Sequence, residues 1–194
     1  MKKRRSVIIM VVILVMTMLS LPAQAIIYEY FPDVPDDSPY AEAVNTLARM
    51  GVVKGNENGN YNPDSTITRA EFATILCRLS GVEDEALAIK TSGFRDVSSS
   101  HWACGYIAKA AELGLVNGYG NGNFGPSDTL TYEQGLAVMV RYTGLDDAAI
   151  ASGGWPLGYL TTAEEYGLSK NLSVKAGDIL LRKEMAMIIY NTIT

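Results

Sequence analysis

Apolar positions at helical spacing recur along this chain in short runs, each ended by a glycine. In residues 94–144, Ile107, Ala110, Ala111 and Leu113 follow helical spacing until Gly114 stops the pattern, and Ser98, Ser99 and Ser100 ahead of them offer helix caps. The same run reads Val44, Leu47, Ala48 and Met50 before Gly51, and Leu160, Ala163 and Tyr166 before Gly167. A second helix opens at Thr68-Arg69-Ala70-Glu71, with Phe72, Ile75, Leu76 and Leu79 forming its apolar stripe at i, i+3, i+4 and i+7. Between the two lies a run of glycine and asparagine, residues 55–60 and again 118–123, which tolerate positive φ and predict a tight reversal. These turns lack the alternating acidic ligands and distal glutamate of a calcium loop. Each unit therefore predicts helix, turn, helix, in an all-α fold.

The units are copies of one another. Residues 31–81 align without a gap onto residues 94–144 at an offset of 63, so that Phe31, Asp33, Gly51, Gly55, Pro63, Thr68, Arg78 and Gly81 recur as Phe94, Asp96, Gly114, Gly118, Pro126, Thr131, Arg141 and Gly144. A third, shortened copy starts near Gly153: Trp155 matches Trp102 and Gly167 matches Gly114 at an offset of 53, then Leu181-Arg182-Lys183-Glu184 matches residues 131–134 at 50. The organisation read from this is a leader at 1–25, repeats at 26–81, 94–144 and 153–194, and acidic, small-residue linkers at 82–93 and 145–152. A helical pair of this size buries too little apolar surface to stand alone, so the three repeats are expected to share one core.

Lys2, Lys3, Arg4 and Arg5, an apolar run over residues 7–19 and Ala23-Gln24-Ala25 form the pattern of a secretory signal, too short for a membrane span of about 20 residues. Export follows, with no membrane attachment once the signal is cleaved. Cleavage takes those four residues out of 16 basic ones and none out of 21 acidic ones, moving the net charge from −5 to −9. No basic footprint for nucleic acid remains, and an acidic polymer has to be gripped locally, since bulk charge repels it. Cys77 and Cys104 occupy non-equivalent positions and read either as buried thiols or as one disulfide between the first two repeats. Two cysteines and the single His101 offer no metal spacing, and no cofactor is expected.

Thr68 with Glu71, and Thr131 with Gln134, match the capping box. Arg69 does not fit a capping role, because a cation in the first turn faces the positive end of the helix dipole. Arg182 holds the same position in the third repeat, whereas the second has Tyr132. An arginine beside free helix N–H groups would form a compact anion site. Trp102 and Trp155 stand at the start of the first helix, either as core or as platforms for a sugar ring. Asp33 and Asp96 serve either as turn formers or as acceptors for sugar hydroxyls. Glycosidases generally need two carboxylates flanking the bond in a cleft, whereas the acidic residues here fall in linkers, caps and turns, and His101 has no nucleophile partner, so no catalytic residue is assigned.

Phe94-x-Asp96-Val97, His101-Trp102-Ala103, Gly114-Leu115-Val116-x-Gly118-Tyr119-Gly120, Phe124-x-Pro126 and Thr68-Arg69-Ala70-Glu71-Phe72 together resemble the S-layer homology domain. The resemblance covers nearly all of residues 26–194 and weakens in the third repeat, which lacks the Phe-x-Asp-Val opening. It implies three repeats docked as a pseudo-threefold bundle with ligand grooves between neighbours. It also implies noncovalent attachment to a secondary cell-wall polysaccharide, often carrying acidic ketal-pyruvate groups, at the cell wall or S-layer surface of a bacterium. Carried over by position, the groove arginines are Arg69 and Arg182 and the tryptophans Trp102 and Trp155, with Asp33 and Asp96 as further glycan-binding candidates. Tyr132 replaces the arginine of the second repeat, Gln134 the glutamate, and Pro39 the tryptophan of the first. If a groove takes its arginine and tryptophan from different repeats, at most two are fully equipped.

The function expected on this basis is a noncatalytic anchor. Because the repeats take up almost everything after residue 25, the cargo is either a further part of a longer product or a surface protein recruited noncovalently, unless wall binding is the whole task. A protein-interaction adaptor on the cell envelope is the alternative.

Overall fold

The computed structural model describes residues 31–194; the signal segment lies outside them. Eight helices follow in order: α1 (Ala41–Arg49), α2 (Arg69–Leu79), α3 (Glu83–Ala88), α4 (Cys104–Glu112), α5 (Tyr132–Tyr142), α6 (Asp146–Ala151), α7 (Leu157–Glu165) and α8 (Arg182–Ile193). Among the described residues the only β pairing is three isolated bridges. The helix-turn-helix order of each repeat is as the periodicity predicts. The glycines that end the apolar runs do so in the left-handed region, at φ of 73° for Gly51, 71° for Gly114 and 78° for Gly167.

Four local expectations need correcting. Met50, Leu113 and Tyr166 fit the helical spacing but are the C-cap residues and lie exposed. The serines at 98–100 do not cap α4, whose N-cap is Ala103; Ser98 instead accepts the His101 N–H in the preceding turn at 3.0 Å. Trp102 and Trp155 therefore stand in the turns ahead of α4 and α7. Both linkers do more than connect, since each folds into a short helix, α3 or α6. Cys77 and Cys104 are buried free thiols, the Cys77 Sγ donating to the Tyr106 carbonyl at 3.4 Å. Burial pushes the Cys77 thiol up to about 11.

A repeat does not pack as a self-contained hairpin. Its long second helix lies instead against the first helix of another repeat: α2 on α4, α5 on α7 and α8 on α1. The linker helices brace two of these junctions, α3 against α4 and α6 against α7. Gly105 and Gly158 make that approach possible, because a Cβ would lie 1.9 Å from the Ala86 carbonyl oxygen in one case and 2.1 Å from that of Ala149 in the other. One hydrophobic core runs through the described residues, from Phe31, Leu47 and Phe72 through Ile107 and Leu136 to Leu180 and Ile188.

At the middle, the segments preceding the three long helices join in a closed ring of backbone hydrogen bonds. Leu130 N–H donates to the Ile67 carbonyl at 3.2 Å, Leu180 N–H to Leu130 at 2.8 Å, and Ile67 N–H to Leu180 at 3.3 Å. All three side chains are buried, so these amides have no water to turn to and the ring satisfies them.

Candidate functional site

Each Gly/Asn turn is fixed from within and from behind. Asn56 Oδ1 accepts the N–H groups of Asn58 and Asn60 at 2.9 and 3.0 Å, and Asn121 Oδ1 accepts that of Asn123 at 3.0 Å. Asp33 takes the Tyr61 and Asn62 N–H groups at 2.8 and 2.6 Å; Asp96 takes those of Phe124 and Gly125 at 2.8 and 2.7 Å. For Asp96, desolvation works upward, but these amide donors outweigh it and hold the carboxyl below its ordinary value. Neither aspartate lines the grooves described next.

An arginine from another repeat then grips the turn. Arg69 donates through Nε to the Phe124 carbonyl at 2.8 Å and through Nη2 to Asn117 at 2.7 Å, with its guanidinium 4.4 Å from the Phe124 ring centre and 4.8 Å from that of Tyr119. Arg182 repeats this on the first turn, with Nε to the Tyr61 carbonyl at 2.8 Å and the guanidinium 4.7 Å from the Tyr61 ring. Burial pulls Arg69 below its ordinary value, partly offset by Tyr119, Asp128 and Asp96. The buried Tyr61 hydroxyl, donating to the Arg182 carbonyl at 2.8 Å, is pushed up to about 12 by desolvation.

The helix N–H groups expected to complete an anion site are already taken. Arg69 and Ala70 donate to the Asp128 and Pro126 carbonyls at 2.9 and 3.1 Å, and Glu71 N–H reaches Thr68 Oγ1 at 3.2 Å. Arg182 and Lys183 donate to Ser65 and Pro63 at 2.9 and 3.0 Å, and Tyr132 to Asp178 at 2.9 Å. The physical reason is the central ring, which lays the loop of one repeat across the helix start of another. Glu71 closes its capping box on Thr68, and Gln134 and Glu184 each accept the N-cap N–H of their own helix, at 3.1 and 2.7 Å.

Two grooves result. The first, about 370 Å³, brings Arg182 from the start of α8 and Trp102 from the turn ahead of α4 to the turn of the first repeat, around Lys54, Asn56 and Tyr61. The second, about 220 Å³, brings Arg69 of the first repeat and Trp155 from the turn ahead of α7 to the turn of the second repeat, around Asn117 and Tyr119. The indoles are 60 and 54 % exposed, which settles their status as surface groups rather than core. Glu71 in the first groove, 3.9 Å from Arg182, corresponds to Gln134 in the second.

A second arginine lines each groove and is not singled out by the sequence reading: Arg78 in the first and Arg141 in the second. Arg78 Nε meets Glu83 at 2.8 Å, and Glu83 also accepts the Tyr106 hydroxyl at 2.8 Å. Arg141 and the Tyr159 hydroxyl share Asp146 in the same way, at 3.5 and 2.5 Å. The available signal was the exact recurrence of arginine in the last turn of the long helix, followed five residues later by an acid. Tyr132, in the arginine position of the second repeat, is buried, and that burial pushes its hydroxyl up, partly offset by Ser169.

The arrangement offers cationic donors beside an exposed indole over a polar turn. Among the described residues there is no cluster able to hold a metal and no helix long and apolar enough to cross a membrane.

Comparison with known proteins places these features in a family. Residues 30–73 and 93–134 match the profile of the S-layer homology domain. The chain is 38 % identical over 161 residues to a cell surface protein of Thermoanaerobacter kivui, covering 82 % of this chain and 20 % of that protein. It is 33 % identical over 138 residues to the middle cell wall protein of Brevibacillus brevis, covering 71 % and 13 %. With an amylopullulanase of Thermoanaerobacterium thermosulfurigenes it shares 32 % identity over 117 residues, covering 59 % and 6 %. The chain thus spans a fifth or less of the length of these relatives. It carries two repeats of the S-layer homology domain family, residues 30–73 and 93–134, and the turns within both are held by the Asp–amide and Arg–carbonyl brackets seen in the structure.

Proposed function

We propose that this chain is a noncatalytic anchoring module that holds protein at the bacterial cell surface by gripping an acidic secondary cell-wall polysaccharide in its two grooves. The observation that carries the reading is their shared composition: a turn from one repeat, an arginine from a second and an exposed tryptophan from a third. Indole faces suit sugar rings, and paired guanidinium groups suit the carboxylate of a ketal-type substituent. Because helix N–H groups are occupied, the anion is held by side chains: Arg182, Arg78 and Lys54 in the first groove, Arg69 and Arg141 in the second. Asp33 and Asp96 act from behind, fixing the turns.

Residues 153–194 are read as a third, shortened repeat completing a pseudo-threefold bundle; the α8–α1 contact and the ring of Ile67, Leu130 and Leu180 support this. Tyr132 and Pro39 then leave the third junction without an arginine and a tryptophan, so two grooves do the binding. Relatives named as a cell surface protein, a cell wall protein and an amylopullulanase, each similar to this chain over part of its own length, support a surface module that serves varied cargo.

The test is cosedimentation of residues 26–194 with purified sacculi before and after chemical removal of the secondary polysaccharide. Binding that vanishes with the polymer is expected. Equal binding to both would indicate peptidoglycan, and binding to neither would favour the adaptor reading.

A further inference from the structure

Past Trp102, away from the turn of the first repeat, lies another cavity of about 220 Å³ that reaches the second repeat at Pro126 and Ser127. Glu71 and Trp102 belong to the walls of both this cavity and the first groove, so the two are neighbouring compartments separated by one carboxylate and one indole. We propose that this cavity is a second sugar subsite, which holds an uncharged, hydroxyl-rich unit adjacent on the same polymer to the acidic unit in the first groove. The proposal rests on the glycan-binding reading of that groove.

Three features select this ligand. Aromatic surface continues from the groove into the cavity, since the His101 ring lies 5.7 Å from the indole at an interplanar angle of 27°. Hydrogen-bonding groups of both kinds face a hydroxyl there. His101 Nδ1 accepts the Ala103 N–H at 3.1 Å, which puts the ring proton on Nε2 as a donor. Glu71 uses Oε2 for the N–H and hydroxyl of Thr68, both at 2.8 Å, while Oε1, 3.9 Å from Arg182 on the groove side, keeps lone pairs to accept; the exposed Ser127 hydroxyl does either. Charge excludes a second anion: no lysine or arginine lines the cavity, and Glu71 does.

The grooves are consequently unequal. The position of His101 is Gly154 in the third repeat, and that of Glu71 is Gln134 in the second, so the second groove lacks both the imidazole and the carboxylate. The first groove reads two successive units of the polymer where the second reads one.

The experiment uses the acidic monosaccharide and multi-unit fragments released from the purified polymer, titrated by calorimetry in an Arg69→Ala background that silences the second groove. Ser127→Trp fills the cavity from an exposed position, and His101→Ala removes the donor and half the aromatic surface; thermal unfolding verifies that both fold. Each is expected to weaken multi-unit binding about tenfold, the equivalent of about 1.4 kcal/mol, and to leave monosaccharide binding unchanged. Multi-unit binding unaltered in both variants overturns the subsite, and the groove reading survives if Arg182→Ala still abolishes monosaccharide binding. Should Arg182→Ala leave the monosaccharide bound, the groove reading fails and the subsite with it.

Discussion

Arg69 Nε donates to the carbonyl of Phe124 at 2.8 Å while its guanidinium lies 4.4 Å from the ring of that same residue. One side chain thereby holds a turn of another repeat in place and presents the rest of its charge to the groove. Lysine has the charge but not the fork. Arg69→Lys is expected to lose most wall binding at the second groove, and Arg69→Ala to destabilise the protein further by about 2 kcal/mol, from charge-assisted bonds worth about 1.5–3 kcal/mol each. Sacculus binding and thermal unfolding of the two variants check this; a lysine variant that binds like wild type would show that charge alone suffices.

Gly105 presents a case where two effects of known size oppose each other. Alanine gains about 1 kcal/mol of helix propensity over glycine, but its Cβ would sit 1.9 Å from the Ala86 carbonyl oxygen, a rigid backbone atom. Separating α3 from α4 costs about 1–3 kcal/mol of packing, so the clash decides the sign. Gly105→Ala and Gly158→Ala are each expected to lower the unfolding temperature, whereas Gly→Ala at a solvent-facing helical position would raise it. Differential scanning calorimetry distinguishes the two outcomes.

How far these features were readable differs by kind. The helix pairs, their glycine stops and the capping box at Thr68 and Glu71 follow from local rules, because spacing and cap chemistry act within a few residues. The partnership of the helices does not. Nothing in residues 31–81 says that α2 turns to α4 rather than to α1, since both faces are merely apolar. For the same reason the occupied N–H groups of Arg69 and Arg182 were out of reach: their acceptors, Asp128 and Ser65, come from other repeats. Arg78 and Arg141 recur visibly, yet a recurring cation on a helix reads as a solvated face until Glu83 and Asp146 are placed beside them.

Glu83 makes the junction of the first two repeats sensitive to acid. Its hydrogen bond from Arg78 is the largest influence and, with that from Tyr106, holds its carboxyl below the ordinary glutamate value against the opposing effect of burial. A depressed folded-state pKa means that the stabilisation is complete above the ordinary value and is lost as pH falls through the folded one. The side chain is 31 % exposed, and solvent screening limits the effect to about 0.2–1 kcal/mol. Glu83→Gln is expected to lower stability by this amount at neutral pH and by less as pH falls toward the folded-state value. Urea unfolding at neutral and acidic pH measures the difference; a constant offset at every pH would contradict the assignment.

Two grooves on one hydrophobic core raise the question of whether they act together on one polymer chain. If they do, binding at one converts binding at the other into an intramolecular event, and linked sites of this kind exceed single-site affinity by about 10²–10⁴. Arg69→Ala or Arg182→Ala alone would then reduce affinity for long polymer by about a hundredfold, although each removes one site of two. Independent grooves predict only a halving of capacity with affinity unchanged. Fragment length separates the cases further, because fragments too short to reach both grooves should bind each single variant with ordinary affinity and a stoichiometry of about one. Calorimetry with short and long fragments on both single variants and the double variant therefore decides between them. A hundredfold loss confined to long polymer would mean that retention at the wall comes from geometry linking weak sites, and that two such sites are enough to hold.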